Sequence, residues 1–326
     1  MKNLNLKALE ILALPRESAF LGKLKKRYLA LREIMPKDHP GDMPWNEWLQ
    51  IYGLCKAFNP DCVFEFGRGY GNSTLVFDSS LNNNQPLYSI CITDYSETQR
   101  GLAQKNIKLR KDTKILQSNI IDFPFKTITQ KHRDQKVMVF WDAHGFEVAE
   151  EILARFLPEL NGEVLVLMHD IGDLRYQKSF REFGSQSIWK AEPEKWPGPS
   201  VVVGHFFAHV AQLVSITDFC TRNKIELFSQ SFSNRESLKS LNRKKAKILS
   251  KLQFVSRNGL ASFLFKKNNK TTFPVKINRS KRSIKDVKSN VKDMPETTKH
   301  DSLPKQSLMQ KIFSLAAKIR RAHNDH

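Results

Sequence analysis

Three glycines at alternate positions, Gly67, Gly69 and Gly71, follow a short apolar segment that ends in Glu65 and Phe66. Glycine permits a tight turn and a close approach of the backbone to a ligand, because it has no Cβ. The residues after Gly71 can begin a helix, whose free N–H groups would face an anionic group. The run therefore predicts a strand, a tight turn and a helix, with a ligand site at the turn. A turn that binds nothing is the alternative.

The central region alternates short runs rich in Val, Ile and Leu with helical segments. Continuous apolar runs such as 164–168 are what a sheet buried on both faces requires. The alternation favours a doubly wound, Rossmann-like, mostly parallel sheet with right-handed crossovers, so the predicted fold class is α/β. Helices are predicted at about 72–80, 95–110, 147–160 and 206–222.

A hairpin signal lies near the end of the central region. The strand-like runs 252–256 and 260–265 flank Arg257-Asn258-Gly259, and Asn-Gly between two such runs is typical of a tight turn. We expect a C-terminal antiparallel hairpin there. Whether 224–228 or 252–256 forms the sixth strand stays open.

The chain before the glycines is predicted to be helical. Apolar residues recur at three- and four-residue spacing from Phe20 to Met35, and Pro44 stands where a helix favours proline, ahead of Trp45 and Trp48. We expect residues 1–59 to form a helical cap over the ligand edge, with the two tryptophans packing rather than stacking on a ligand. The ligand-binding domain is predicted over 60–265 and a basic tail over 266–326.

The positive charge is concentrated in that tail. The net charge is +20, and residues 266–326 hold 16 Lys or Arg against 5 Asp or Glu, an excess of 11. The composition up to about residue 305 predicts disorder, whereas 308–321 has the apolar spacing of a basic amphipathic helix. That helix could lie on an anionic membrane surface, contact an acidic partner, or dock on its own domain. Aromatic and basic residues do not interleave as on nucleic-acid surfaces, so nucleic acid is disfavoured as a partner.

The spacing of the cysteines and the length of the apolar runs indicate the cellular compartment. The four cysteines show no paired spacing, which favours reduced thiols and argues against a zinc site. No apolar stretch reaches the ~20 residues that cross a bilayer. We therefore predict a cytoplasmic protein. Its basic tail could also hold it at the inner face of the membrane.

The acid, the glycines and the later segments together resemble the class I S-adenosylmethionine-dependent methyltransferases, in the small-molecule O-methyltransferase-like subgroup. The run from Glu65 to Gly71 is similar to that family's (Asp/Glu)-x-Gly-x-Gly-x-Gly motif. Four further segments are similar to its second to fifth strands and occur in its order: 87–94, 114–119, 137–145 and 163–170. The resemblance implies the same fold, whose sheet ends in an antiparallel strand, and binding of S-adenosylmethionine.

Polar side chains stand at or just beyond these strand ends, where doubly wound sheets bind ligands. The resemblance implies that Glu65, the three glycines and Ser73 hold the cofactor near the turn. The family's ribose-binding acid usually closes the second strand, where this chain has Cys91, and Asp94 is the predicted substitute. Asn119 replaces the acid near the third strand and could accept from the adenine amino group. Asp142 completes the predicted cofactor set.

The predicted chemistry centres on Asp142, His144, His169 and Asp170. A hydroxyl acceptor must lose its proton to a base or to a metal, and His144 is the predicted base because imidazole titrates near neutral pH. Asp142 and Asp170 resemble the carboxylates that hold Mg²⁺ in metal-dependent O-methyltransferases, although Ile171 stands where that family has another ligand. His144 and Asp170 are thus the predicted catalytic residues. Alternatively, Asp170 caps a helix and His144 bonds a neighbouring loop.

Two functions of different classes are consistent with these features. The first is an O-methyltransferase that acts on a sugar or a related hydroxylated metabolite, whose pocket the 172–204 segment would shape with residues such as Trp189 and Trp196. The second is a non-catalytic protein that keeps the fold as a scaffold and uses the tail for recruitment. A nicotinamide-dependent dehydrogenase is disfavoured, because Asn72 stands where its third glycine would be.

Overall fold

Seven strands form one sheet in the order β3-β2-β1-β4-β5-β7-β6. The strands are β1 Cys62–Phe66, β2 Leu87–Cys91, β3 Thr113–Gln117, β4 Val137–Trp141, β5 Glu163–Met168, β6 Phe228–Ser229 and β7 Ala261–Lys266. The first five are parallel, and β7 is antiparallel to both β5 and β6. Chain order reverses between β1 and β4, so their carboxyl ends border the crevice where such sheets bind ligands. The predicted doubly wound, mostly parallel fold with antiparallel C-terminal strands is confirmed.

The molecule is described by a computed structural model over residues 1–36, 43–169, 212, 214–255 and 260–275. Its helices are α1 Lys2–Leu12, α2 Ser18–Ile34, α3 Trp45–Phe58, α4 Asn72–Ser80, α5 Ser96–Gln104, α6 Lys126–Thr129, α7 Phe146–Glu151, α8 at residues 214–222, α9 Gln230–Ser240 and α10 Arg243–Lys251. In this part of the chain no helix has the length and apolar character needed to cross a membrane. The predicted 308–321 helix lies outside the described residues.

Both faces of the sheet are covered, as its apolar strands require. One core contains the buried sides of α1, α2 and α3, with Trp48 and Tyr52 fully buried against α4. The other core is aromatic and includes Phe64, Phe66 and Phe156. The N-terminal helices thus pack onto the sheet layer itself, and Trp48 has the packing role expected for it.

The predicted helices are largely confirmed, with different ends. The helix expected at 72–80 is α4. The helix expected at 95–110 is α5, which stops early because Asn106 adopts a left-handed conformation (φ 56°). The segment expected at 147–160 is α7, which continues as a π-helical turn over Ile152–Phe156 and a 3₁₀ turn over Leu157–Glu159.

The predicted position of the C-terminal hairpin is wrong, although an antiparallel pair exists. Residues 252–255 follow directly on α10 and form no strand, because Gln253 turns the chain with a left-handed φ of 59°. β7 pairs with β5 along one edge and with β6 along the other, and β6 lies at the end of the alternative run 224–228. The Asn-Gly turn itself is outside the described residues.

Residues 267–275 continue from β7 along the body of the protein. Phe273 lies 5.9 Å from both Phe219 and Phe265, measured between ring centroids. The Thr272 N–H donates to Asn223 Oδ1 at 2.7 Å. This stretch therefore packs on the sheet domain, and the first structural unit extends to Lys276.

Candidate functional site

The glycine turn lies at the carboxyl end of β1 and has the backbone that its sequence predicts. Gly67, Gly69 and Gly71 all have positive φ angles, 87°, 49° and 91°. A Cβ on Gly67 would lie 2.5 Å from the carbonyl oxygen of Asp142, so the backbones after β1 and β4 are too close here for a residue that has a Cβ. The first turn of α4 receives no side-chain cap. Its N–H groups are the kind that hold an anionic group.

Glu65 is fully buried beneath this turn. Its two carboxylate oxygens accept from the hydroxyls of Ser73 and Thr74, the latter at 2.7 Å. These bonds tie β1 to the first turn of α4. Burial raises the pKa of Glu65, and hydrogen bonds from Ser73, Ser89 and Thr74 offset this only in part. Glu65 and Ser73 therefore support the turn in this structure, and their assignment as cofactor ligands stays a prediction.

The raised pKa of Glu65 predicts a pH-dependent stability. The folded protein keeps the proton at pH values where the unfolded chain, with its ordinary pKa of 4.5, has lost it. Stability from this group is thus present below pH 4.5 and is lost as pH rises through the folded-state pKa. The unfolding free energy of wild type minus that of Glu65→Gln should fall across this window, by at most about 1.4 kcal/mol per pH unit. Urea unfolding of both proteins at several pH values checks this; a constant difference would contradict it.

Arg68 and Tyr95 are site features that the sequence interpretation missed. Arg68, between the first two glycines, is buried and donates to the Ser89 and Thr93 carbonyl oxygens at 2.9 Å. Its guanidinium carbon lies 5.0 Å from the Tyr95 ring centroid. Among the described residues, Arg68 Nε and the buried Tyr95 hydroxyl have no hydrogen-bond partner. A basic residue between two glycines of the motif is the signal that could have indicated this buried cation.

The end of β2 presents a thiol where the family resemblance implies an acid. The Thr93 N–H lies 3.5 Å from Cys91 Sγ. Burial acts to raise the pKa of Cys91, but hydrogen bonds from Thr93 and from the Arg68 and Gly69 backbone outweigh burial and lower it. Sγ therefore faces the N–H groups of the glycine turn.

Two predicted cofactor residues lie on exposed loops and have local partners. Asp94 accepts from the Ser96 hydroxyl and N–H, which lower the pKa of Asp94 and fix the start of α5. Asn119 accepts from the Ile121 N–H at 3.1 Å. Each retains lone pairs for a further donor. The roles predicted for Asp94 at the ribose and for Asn119 at the adenine stay predictions.

Acid and base side chains meet at the carboxyl ends of β4 and β5. Asp142 Oδ1 lies 3.0 Å from Nδ1 of His169 and 3.9 Å from Nε2 of His144. On its other side, His169 Nε2 lies 3.1 Å from Oε2 of Glu47, which belongs to α3. The side chains of Asp142 and His144 are 21% and 24% exposed, whereas His169 is only 3% exposed. The structure thus brings together three of the four residues in which chemistry was predicted and adds Glu47.

The predicted metal pair is described only in part. Asp170 lies outside the described residues, as does the whole 172–204 segment with its tryptophans. Asp142 shares its Oδ1 with the imidazole of His169, and the described residues contain no cluster of three or more His, Cys, Asp or Glu that could hold a metal ion. Because one of the two predicted ligands lies outside the described residues, the Mg²⁺ site stays a prediction, and no step is derived through the metal.

Comparison with known proteins gives only distant likenesses. No family model and no curated protein matches the chain. Similar solved structures include an O-methyltransferase from Streptomyces achromogenes in complex with S-adenosylmethionine, at 14% identity and a TM-score of 0.46, over 75% of this chain and 89% of that one. A methyltransferase from Podospora anserina bound to S-adenosylhomocysteine has 12% identity and a TM-score of 0.46, over 78% and 94%.

A third similar structure is an O-methyltransferase from Bacillus cereus in complex with S-adenosylhomocysteine, at 10% identity and a TM-score of 0.44, over 66% of this chain and 84% of that one. Likeness of this degree supports no conclusion about activity. The strand order and the antiparallel β7 confirm the fold that the sequence resemblance implied.

Proposed function

We propose that the protein is an S-adenosylmethionine-dependent methyltransferase. The observation that carries the proposal is the contact between Gly67 and the Asp142 backbone. It joins the glycine turn, which leads into an uncapped helix N-terminus, to a strand end whose Asp142 side chain pairs with His169. The cofactor would supply the methyl group as a sulfonium. The first N–H groups of α4 would hold its carboxylate, while Asp94 and Asn119 are the expected contacts to ribose and adenine.

The proposed acceptor is a hydroxyl group on a small molecule, such as a sugar or a related metabolite. Asp142 and His144 are the partly exposed members of the cluster at the strand ends, so they are the groups that an acceptor can reach. His144 would take the hydroxyl proton, and Asp142, 3.9 Å from its Nε2, would stabilise the charge that forms.

Binding of S-adenosylmethionine is the first test. Titration calorimetry of the wild-type protein should show saturable binding of S-adenosylmethionine and of S-adenosylhomocysteine. NAD should give no binding, because the third glycine of a dinucleotide site is replaced by Asn72. Absence of binding at millimolar S-adenosylmethionine would reject the enzyme and leave the alternative, a non-catalytic protein with the same fold.

The tail is proposed to govern location rather than catalysis. Its predicted basic helix at 308–321 would lie on an anionic membrane surface, which attracts each nearby Lys or Arg by ~1 kcal/mol. Since residues 267–275 pack on the sheet domain, a variant that tests the tail must keep them.

A chain that ends at Lys276 should therefore keep its affinity for S-adenosylmethionine and lose affinity for anionic vesicles. Vesicle sedimentation and calorimetry measure the two properties separately, and vesicle binding by the full chain should weaken with salt. If the shortened chain unfolds or loses cofactor affinity, the tail docks on the domain and the membrane proposal is wrong.

A further inference from the structure

The hydroxyl group of Tyr95 is buried against the glycine turn. Tyr95 directly precedes α5 and is only 2% exposed. Its hydroxyl reaches Gly71, the N-terminal cap of α4, so closely that a Cβ on Gly71 would collide with the hydroxyl oxygen. Over the part of the chain that the structure describes, this hydroxyl has no hydrogen-bond partner. Buried polar groups are normally hydrogen-bonded, so the hydroxyl indicates a partner that the described chain does not supply.

The surroundings of this hydroxyl favour a partner with a negative charge. α4 has nine residues, and its first turn contains neither a side-chain cap nor an acidic residue. Arg68 is 2% exposed, and its guanidinium carbon lies 5.0 Å from the Tyr95 ring centroid. The guanidinium donates to Ser89 and Thr93, and within the described ranges it forms no ion pair with a carboxylate. A helix N-terminus and a buried cation both stabilise a nearby negative charge.

The titratable groups at the turn agree with this character. Burial acts to raise the pKa of the Cys91 thiol, but hydrogen bonds from Thr93 and from N–H groups of the glycine turn outweigh burial and lower it. An anionic sulfur is thus favoured beside the turn. Burial, followed by the charge of Glu65, raises the pKa of Tyr95. The Tyr95 hydroxyl therefore keeps its proton at neutral pH and is a hydrogen-bond donor.

We propose that Tyr95 is a specificity-determining residue, whose hydroxyl donates a hydrogen bond to the carboxylate of the ligand at the first turn of α4. The inference rests on the proposed function, since S-adenosylmethionine is the ligand that brings this carboxylate. Arg68 is a positioning residue that lies over the Tyr95 ring and adds positive charge. Gly71 lacks a Cβ and so leaves room for the hydroxyl at the helix N-terminus. Because the hydroxyl is buried, a ligand reaches it through a local shift of the ring or the turn.

Titration calorimetry of the full chain with two ligands tests this role. S-adenosylmethionine carries the carboxylate, and decarboxylated S-adenosylmethionine lacks it. The wild type should bind the decarboxylated compound at least about tenfold more weakly. Tyr95→Phe should weaken S-adenosylmethionine binding by about tenfold and leave the affinity for the decarboxylated compound within about twofold of wild type, because the lost hydrogen bond involves the carboxylate alone.

Tyr88→Phe is the matched control. The Tyr88 hydroxyl lies 3.0 Å from His132 Nε2, and its ring stacks on Phe64 in the aromatic core. This substitution should leave both affinities unchanged and lower the urea midpoint of the ligand-free protein. Tyr95→Phe should instead keep or raise that midpoint, because it removes a buried hydroxyl without a partner. A stable Tyr95→Phe protein with reduced affinity would show that the hydroxyl serves the ligand and not the fold.

Four results would overturn the role of Tyr95. They are wild-type affinity for S-adenosylmethionine in Tyr95→Phe, equal losses of affinity for both ligands, equal binding of both ligands by the wild type, and a midpoint that falls in Tyr95→Phe as far as in Tyr88→Phe. The first three leave the proposed methyltransferase standing whenever the wild type binds S-adenosylmethionine. A wild type that binds neither ligand would instead reject the methyltransferase, and the inference with it.

Discussion

Gly67→Ala is expected to destabilise the protein by about 3 kcal/mol and to abolish S-adenosylmethionine binding. The residue has a φ of 87°, which costs an alanine ~1–2 kcal/mol. The new Cβ would lie 2.5 Å from the Asp142 carbonyl oxygen and 2.7 Å from the Ala143 nitrogen, and overpacking of this kind adds ~1–3 kcal/mol. Both neighbours are backbone atoms, so relief requires β1 and β4 to separate. Urea unfolding and calorimetry measure the two effects.

Gly22→Ala provides the matched control for this substitution. Gly22 lies within α2, and a Cβ there would meet nothing within 4 Å. Alanine should leave cofactor binding unchanged and stabilise the helix by up to ~1 kcal/mol. Wild-type stability and affinity in Gly67→Ala would show that the turn and β4 are not in the close contact on which the proposed site depends.

The sheet was largely predictable from sequence, because a strand buried on both faces must be apolar along its whole length. The runs that contain β4 and β5 meet this condition almost throughout, and β1 meets it except at the buried Glu65. The C-terminal edge was not predictable in the same way. β6 has only two residues, too few for a pattern, while 252–255 holds apolar residues for another reason: Phe254 packs in the core after α10 ends.

The residues of the candidate site were predictable from sequence only in part, for the same physical reason. Asp142, His144 and His169 follow strands that a periodicity argument can place, so their proximity could be expected. Glu47 could not be found in this way, because the packing of α3 against the sheet brings it to His169 and no spacing in the sequence encodes that contact. Glu65 shows a second limit: its motif suggested a ligand but gave no sign of the two hydroxyl donors that hold its buried carboxylate, and its role as a ligand stays a prediction.

A second large loss of stability is expected from a substitution in α3, the helix that contains Glu47. Trp48 is fully buried, its ring centroid lies 5.2 Å from that of Tyr28, and its Nε1 donates to Asn72 Oδ1 at 3.2 Å. Asn72 begins α4, directly after the glycine turn. Trp48→Ala should cost about 3–5 kcal/mol, because the lost burial and the cavity add together. Urea unfolding measures this loss.

Two variants grade the contribution of Trp48. Trp48→Phe keeps an aromatic ring but loses the N–H and part of the indole volume, so it should cost about 1–3 kcal/mol, less than Trp48→Ala. Trp45→Ala removes a partly buried indole whose Nε1 donates to the Leu252 carbonyl oxygen at 3.1 Å, away from α4, and should also cost about 1 kcal/mol. Equal losses in Trp45→Ala and Trp48→Ala would contradict the core position of Trp48. Trp48→Phe can be compared with Trp45→Ala for S-adenosylmethionine binding as well. If only Trp48→Phe weakens binding, the contact of Trp48 with Asn72 supports the cofactor site, and α3 is part of that site.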